Sequence, residues 1–161
     1  MYRIAGIAAV ALAALIFSRE FSAYQKRRMG ETEGFLSLLT FMRGEINCHL
    51  RPVSEWCRDF RDPALERVGF LPALRESCDL SGAYSACEGQ LSVTDAERKL
   101  LSAFTSSFGH GYREDELKLV DYYCGEMGRA AARCRRDVPR YNRLVRTLCA
   151  SAAVAAVILL L

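Results

Sequence analysis

The sequence predicts an all-α fold: a helical bundle flanked by N- and C-terminal transmembrane helices, with a long, heptad-patterned last helix. Three observations lead there. Apolar residues recur at helical spacing through the centre of the chain. An apolar run with at most one charge stands at each end. No stretch alternates apolar and polar residues as a half-buried strand would. A length of 161 residues suits one domain with enough core to fold, and a net charge of +3 says little about partners.

At the N-terminus, Ile4–Phe17 is an uncharged, Ala-rich run of 14 residues. A removable signal needs small residues three and one positions before the cut. Ile16-Phe17-Ser18 and Phe21-Ser22-Ala23 both place a bulky residue at the first of these, which favours an uncleaved anchor. At the other end, Leu144–Leu161 has 18 residues and one charge, Arg146. At about 1.5 Å per residue this run spans roughly 27 Å, near the hydrocarbon thickness of about 30 Å. Arg146 lies near the inner end and can snorkel. The first run is shorter, so Arg3 must also snorkel or the bilayer must thin. The expected organisation is a transmembrane anchor over 1–18, a cytoplasmic helical bundle domain over 19–143 and a second anchor over 144–161. Basic residues set its orientation. Only Arg3 stands outside the first run and none follows the second, while Arg19, Lys26, Arg27, Arg28, Arg140, Arg143 and Arg146 lie inside. The positive-inside rule then leaves the central domain in the cytoplasm and both termini outside.

Within the central region, Phe35, Leu38, Leu39, Met42 and Ile46 mark a helix. Pro52 ends it and opens the next, around Val53–Phe60. Asp62-Pro63 reads as an N-cap followed by a first-turn proline. Gly69, Pro72, Gly82 and Gly89 divide residues 69–93 into short helices and turns. Thr94-x-x-Glu97 is a capping box with Leu100, Leu101, Phe104 and Phe108 behind it. Gly109-His110-Gly111 breaks that helix.

The last segment is the most regular. Leu117, Val120, Cys124, Met127, Ala131, Cys134, Val138, Tyr141, Val145 and Leu148 step by three and four without a gap, as a heptad seam does. Glu114, Asp115 and Glu116 occupy the first turn, where the helix dipole favours acids. Packing against a neighbouring helix of the same chain is favoured over an intermolecular coiled coil, because the seam mixes residue sizes and includes cysteines. A homo-oligomer stays open as an option. Pro139 removes one backbone donor and is a candidate kink.

Seven arginines and one acid, Asp137, lie between residues 129 and 146. Arg129, Arg133, Arg136, Arg140 and Arg143 step by four and three opposite the seam, which makes one solvent-facing ridge. It is a candidate docking surface for anionic lipid or for an acidic partner face. For Arg140 and Arg143 a solvated face serving the positive-inside rule is the plainer reading. Nucleic acid fits less well, since aromatics are not interleaved with the basic residues.

Catalytic and metal chemistry have little to stand on. The seven cysteines (48, 57, 78, 87, 124, 134 and 149) form no C-x-x-C pair, and there are only two histidines, His49 and His110. Free thiols acting as small apolar side chains in a reducing compartment account for them. No phosphate-binding loop, nucleophile elbow or H-E-x-x-H occurs. The Cys48/His49/Cys57 group is the only candidate for nucleophilic chemistry. Neither catalytic residues nor a cofactor is expected. A thiol enzyme or redox sensor would need a cysteine of low pKa.

Two stretches resemble a known family. Residues 45–55, Glu45-Ile-Asn-Cys-His-Leu-Arg-Pro52-Val-Ser-Glu55, resemble the pattern E-I-x-Y-G-x-x-P-L-x-E of stage III sporulation protein AB. Phe108-Gly109-x-Gly111, followed by Asp115, resembles that family's F-G-x-x-L-G-x-x-D segment, which precedes its last long helix. Cys48 and His49 stand where tyrosine and glycine are usual, the second motif is one residue shorter, and Leu119 stands about where a glutamine is usual. Residues 58–93 add almost nothing. The resemblance implies a fold similar to the cytoplasmic domain of the type II secretion inner-membrane platform protein. It implies a place in the mother-cell set of sporulation proteins that build a channel-like complex to the forespore. The implied partners are the secretion-type ATPase encoded beside it and other channel-complex proteins. Glu45, Pro52, Glu55, Phe108 and Gly109 match the motifs. Pro52 and Gly109 read as structural, Phe108 as core, and Glu45 either pairs with an arginine inside the bundle or faces the partner. A general secretion or pilus platform or adaptor subunit outside sporulation is the alternative.

Overall fold

A computed structural model describes residues 2–48 and 53–160, with side chains described throughout except at Val53 and at 2–5, 7, 8, 10, 11, 153, 156, 157, 159 and 160. Among the described residues there are seven α-helices and no strand. They are α1 (Tyr2–Cys48), α2 (Val53–Trp56), α3 (Pro63–Val68), α4 (Phe70–Ser77), α5 (Leu80–Cys87), α6 (Asp95–Ser107) and α7 (Arg113–Leu160), with a 3₁₀ turn over Glu88–Gln90. The chain divides into two compact units, one of residues 1–26 and 134–161 and one of residues 27–133. Both α1 and α7 contribute to each.

The unit of residues 27–133 is built on one face of α1. Phe35, Leu38, Leu39 and Met42 recur at helical spacing and are almost wholly buried. Each such side chain contributes about 1.5–3 kcal/mol on burial. Phe35 meets the edge of Phe70 in α4 at 5.2 Å, and Phe41 packs on Trp56 and Phe60 at 6.0 and 5.3 Å. From the other side, α7 contributes Val120, Met127 and Ala130 to the same core.

The short helices begin and end where their caps dictate. Asp62 is extended and accepts from the amides of Ala64 and Leu65 at 2.9 and 3.0 Å, with Pro63 in the first turn. Gly69 ends α3 with φ of +88°, a left-handed conformation cheap only for glycine. Cys78 ends α4 with φ of +53°, where a side chain is costly. Asp79 caps α5. At α6 the capping box is complete: the Glu97 amide donates to Thr94 Oγ1 at 3.3 Å, and the Thr94 amide to Glu97 Oε2 at 2.8 Å. Buried Glu97 also faces Arg28 of α1 at 3.6 Å. Three residues along, buried Glu31 accepts from the Ser92 amide at 2.6 Å. The capping segment of α6 is thereby tied to α1.

One expectation needs correcting. The helix expected over Val53–Phe60 stops at Trp56, because the amides of both Asp59 and Phe60 turn back to the Trp56 carbonyl. Separately, α1 continues through the charged stretch Arg19–Arg28, and the chain passes from one compact unit to the other within it, after residue 26. Pro52 lies outside the described residues.

In the unit formed by the two ends of the chain, α7 carries Pro139 inside a continuous helix. The heptad seam is buried at Cys134 and Val138, then opens, with Tyr141 49 % and Leu148 66 % exposed. Among the described residues no helix is long and apolar enough to cross a membrane, so the transmembrane helices expected over 1–18 and 144–161 gain no support. Ile4, Ile7, Val10, Val157 and Leu159, among the most apolar positions of both runs, lie outside the described side chains. Leu12, Leu15, Ile16, Phe17, Leu144, Val154 and Ile158 are described and lie between 48 and 69 % exposed.

Candidate functional site

The two stretches that carry the family resemblance, though far apart in sequence, meet in the fold. Arg113, the first residue of α7, donates from Nε to the Ile46 carbonyl at 3.0 Å and from its terminal nitrogen to the Asn47 carbonyl at 2.6 Å. The last carbonyls of a helix have no partner within it, so the guanidinium caps the C-terminus of α1. Three residues on, Glu116 Oε1 accepts from the amides of Gly109 and Gly111, both at 2.9 Å. That carboxylate holds the turn between α6 and α7, where Gly109 has φ of +93°. Phe108 is half-buried against the core, its ring 5.6 Å from that of Phe104. Glu45 is 6 % exposed, Glu55 is exposed on α2, and Pro52 lies outside the described residues. Arg43 Nε and Asp121 Oδ1, 2.5 Å apart, join α1 to α7 farther along.

The arginines of the ridge all lie on α7 and are all exposed. Arg129 and Arg133 belong to the unit of residues 27–133, and Arg136, Arg140 and Arg143 to the terminal unit. Their register opposes the buried Met127, Ala131, Cys134 and Val138, which is why the helix presents them outward. Glu126, one turn back, pairs with Arg129 and offsets part of its charge. Among the described residues no acid pairs with Arg133, Arg140 or Arg143.

Three of the described thiols, Cys57, Cys87 and Cys124, have raised pKa values. Burial raises the Cys57 thiol, with the hydrogen-bonded Cys78 thiol adding to the shift. Burial also raises Cys124 and pushes Cys87 up to about 11. Raised thiols hold little thiolate at neutral pH and are poor nucleophiles. His110 is exposed, and His49 lies outside the described residues. Among the described residues no group of three or more His, Cys, Asp and Glu side chains is placed to hold a metal ion.

Sequence reasoning missed both Arg113 and Glu116 as the groups that fasten the motif junction. One clue was present. A basic residue at the start of a helix opposes the dipole, and Arg113 stands directly before the acidic first turn. A cation in that position is explained by a partner elsewhere. Its partners could not be read, because they are backbone carbonyls of another helix.

A family model described as stage III sporulation protein AB (spore_III_AB) matches residues 3–161, almost the whole chain. No curated protein and no solved structure matches it.

Proposed function

The chain belongs to the stage III sporulation protein AB family, a sporulation-associated group, and from that premise we propose that it is a non-catalytic scaffold of the mother cell–forespore channel complex. It recruits or anchors the secretion-type ATPase of that complex. Its helical domain lies on the mother-cell side of a membrane, held by both ends of the chain. The observation that carries this reading is the exposed arginine face of α7, backed by a buried apolar face that fixes its orientation. Such a face suits an acidic surface on a soluble partner. Membrane attachment is supported by the apolar composition of both ends and by the large apolar side chains left exposed there, which water covers at a cost.

The test is co-purification of the neighbouring ATPase with the full chain carrying Arg129→Glu and Arg133→Glu. Reversing two charges at a docking face should weaken recruitment about tenfold or more and leave a salt-sensitive interaction only in the parent chain. Circular dichroism should be unchanged, since both side chains are exposed. Undiminished recruitment by a folded double variant would remove the ridge as the docking site.

A further inference from the structure

We infer that the unit formed by the two ends of the chain carries a binding site for an acidic phospholipid, with the phosphate held between Arg19 of α1 and Arg146 of α7. The inference rests on the membrane attachment proposed above. A cleft of about 410 Å³ is lined by Ala14, Leu15, Ser18 and Arg19 from α1 and by Arg146, Cys149 and Ala150 from α7. Ala14 and Ser18, Leu15 and Arg19, and Arg146 with Cys149 and Ala150 stand three or four apart, so each group lies on one face of its helix.

The charge in this cleft is unbalanced. Two arginines from different helices line one space, and among the described residues neither has an ion pair or a hydrogen-bonded side-chain partner. Both residues are exposed, so water screens their mutual repulsion, and their summed positive charge attracts an anion. A phosphate suits it well, because two forked guanidiniums can share its oxygens.

The rest of the lining selects the kind of phosphate. Apart from the Ser18 hydroxyl and the Cys149 thiol it is hydrocarbon, and Ala14, Ser18 and Ala150 are small enough to leave room for a chain. Both arginines stand at the inner boundary of an apolar run. From Arg19 toward the N-terminus come exposed Phe17, Ile16, Leu15 and Leu12, and from Arg146 toward the C-terminus come exposed Leu148, Val154 and Ile158. A ligand that fills the site is charged at one end and apolar along its length. Free phosphate would satisfy the arginines and leave the apolar wall uncovered.

The experiment uses the full chain with phosphatidylcholine vesicles, and with vesicles containing phosphatidylglycerol as well. Flotation reads membrane association, and native mass spectrometry after gentle detergent extraction reads which lipid stays bound. The chain should float with both vesicles and retain phosphatidylglycerol about tenfold over phosphatidylcholine. Arg19→Gln with Arg146→Gln should still float but lose that preference, Arg19→Lys with Arg146→Lys should keep only part of it because the charge stays and the fork is lost, and added inorganic phosphate should not compete. Equal retention of both lipids, or a preference unchanged in the double Gln variant, would overturn the site and leave membrane attachment standing. Displacement by inorganic phosphate would reduce it to a soluble-anion site. A chain that floats with neither vesicle would overturn the membrane reading, and this site with it.

Discussion

At the scale of single residues, two glycines one turn apart in α1 have opposite roles. A methyl group at Gly30 would meet Ala64 Cβ at 3.5 Å, an ordinary contact. At Gly34 it would come within 2.7 Å of Asp62 Oδ1, the carboxylate that caps α3, and 3.0 Å of Leu65 Cγ. Gly30→Ala should therefore stabilise the fold by about 0.5–1 kcal/mol through helix propensity alone. Gly34→Ala should lose that gain and about 1–2 kcal/mol more as the cap is displaced. Urea denaturation midpoints moving the same way for both variants would refute the contrast. The sequence could not separate them, since a glycine inside a helix reads only as a weak position until the neighbouring cap is seen. Glu66 offers a test in pH. Hydrogen bonds from Arg75, at 3.1 and 2.5 Å, hold its carboxyl below the ordinary value of 4.5. A depressed folded pKa means stability that is present above the ordinary value and lost as pH falls through the folded one. Glu66→Gln should cost about 1 kcal/mol at neutral pH. Its denaturation midpoint should also fall less than the parent's between neutral pH and pH 3.

Among the secondary-structure elements, what the sequence disclosed was governed by local chemistry. The Asp62-Pro63 start, the Thr94/Glu97 capping box and the break at Gly109 involve neighbours within four residues, and each is found where its residues stand. The exposed register of the arginine face was legible for the same reason. Thr94→Ala should lower stability by about 1 kcal/mol, because the Glu97 amide loses its acceptor. A thermal midpoint equal to the parent's would show that the contacts of Arg28 with Glu97 and of Glu31 with the Ser92 amide hold this segment without the cap. Features that depend on distant neighbours were hidden. The charged stretch Arg19–Arg28 holds the passage from one compact unit to the other, but that α1 runs through it unbroken was not legible. The seam of α7 keeps its period through Tyr141 and Leu148, but periodicity records which residues share a face and not where that face stops being covered.

For the molecule as a whole, the helical class was readable from periodicity and the family from two short motifs. Their meeting through Arg113 was not, because sequence separation hides it. Arg113 also bears on time. Its hydrogen bond to the Asn47 carbonyl joins residues 66 apart, and the entropy of closing such a loop opposes early formation of the contact. The caps of the short helices between them use near neighbours and have no such delay. A contact completed after the folding barrier leaves the rate of folding almost untouched and slows unfolding. Arg113→Ala should therefore speed unfolding of the unit of residues 27–133 and leave its folding rate almost unchanged, as a latch closed late would, and stopped-flow folding and unfolding rates would check it.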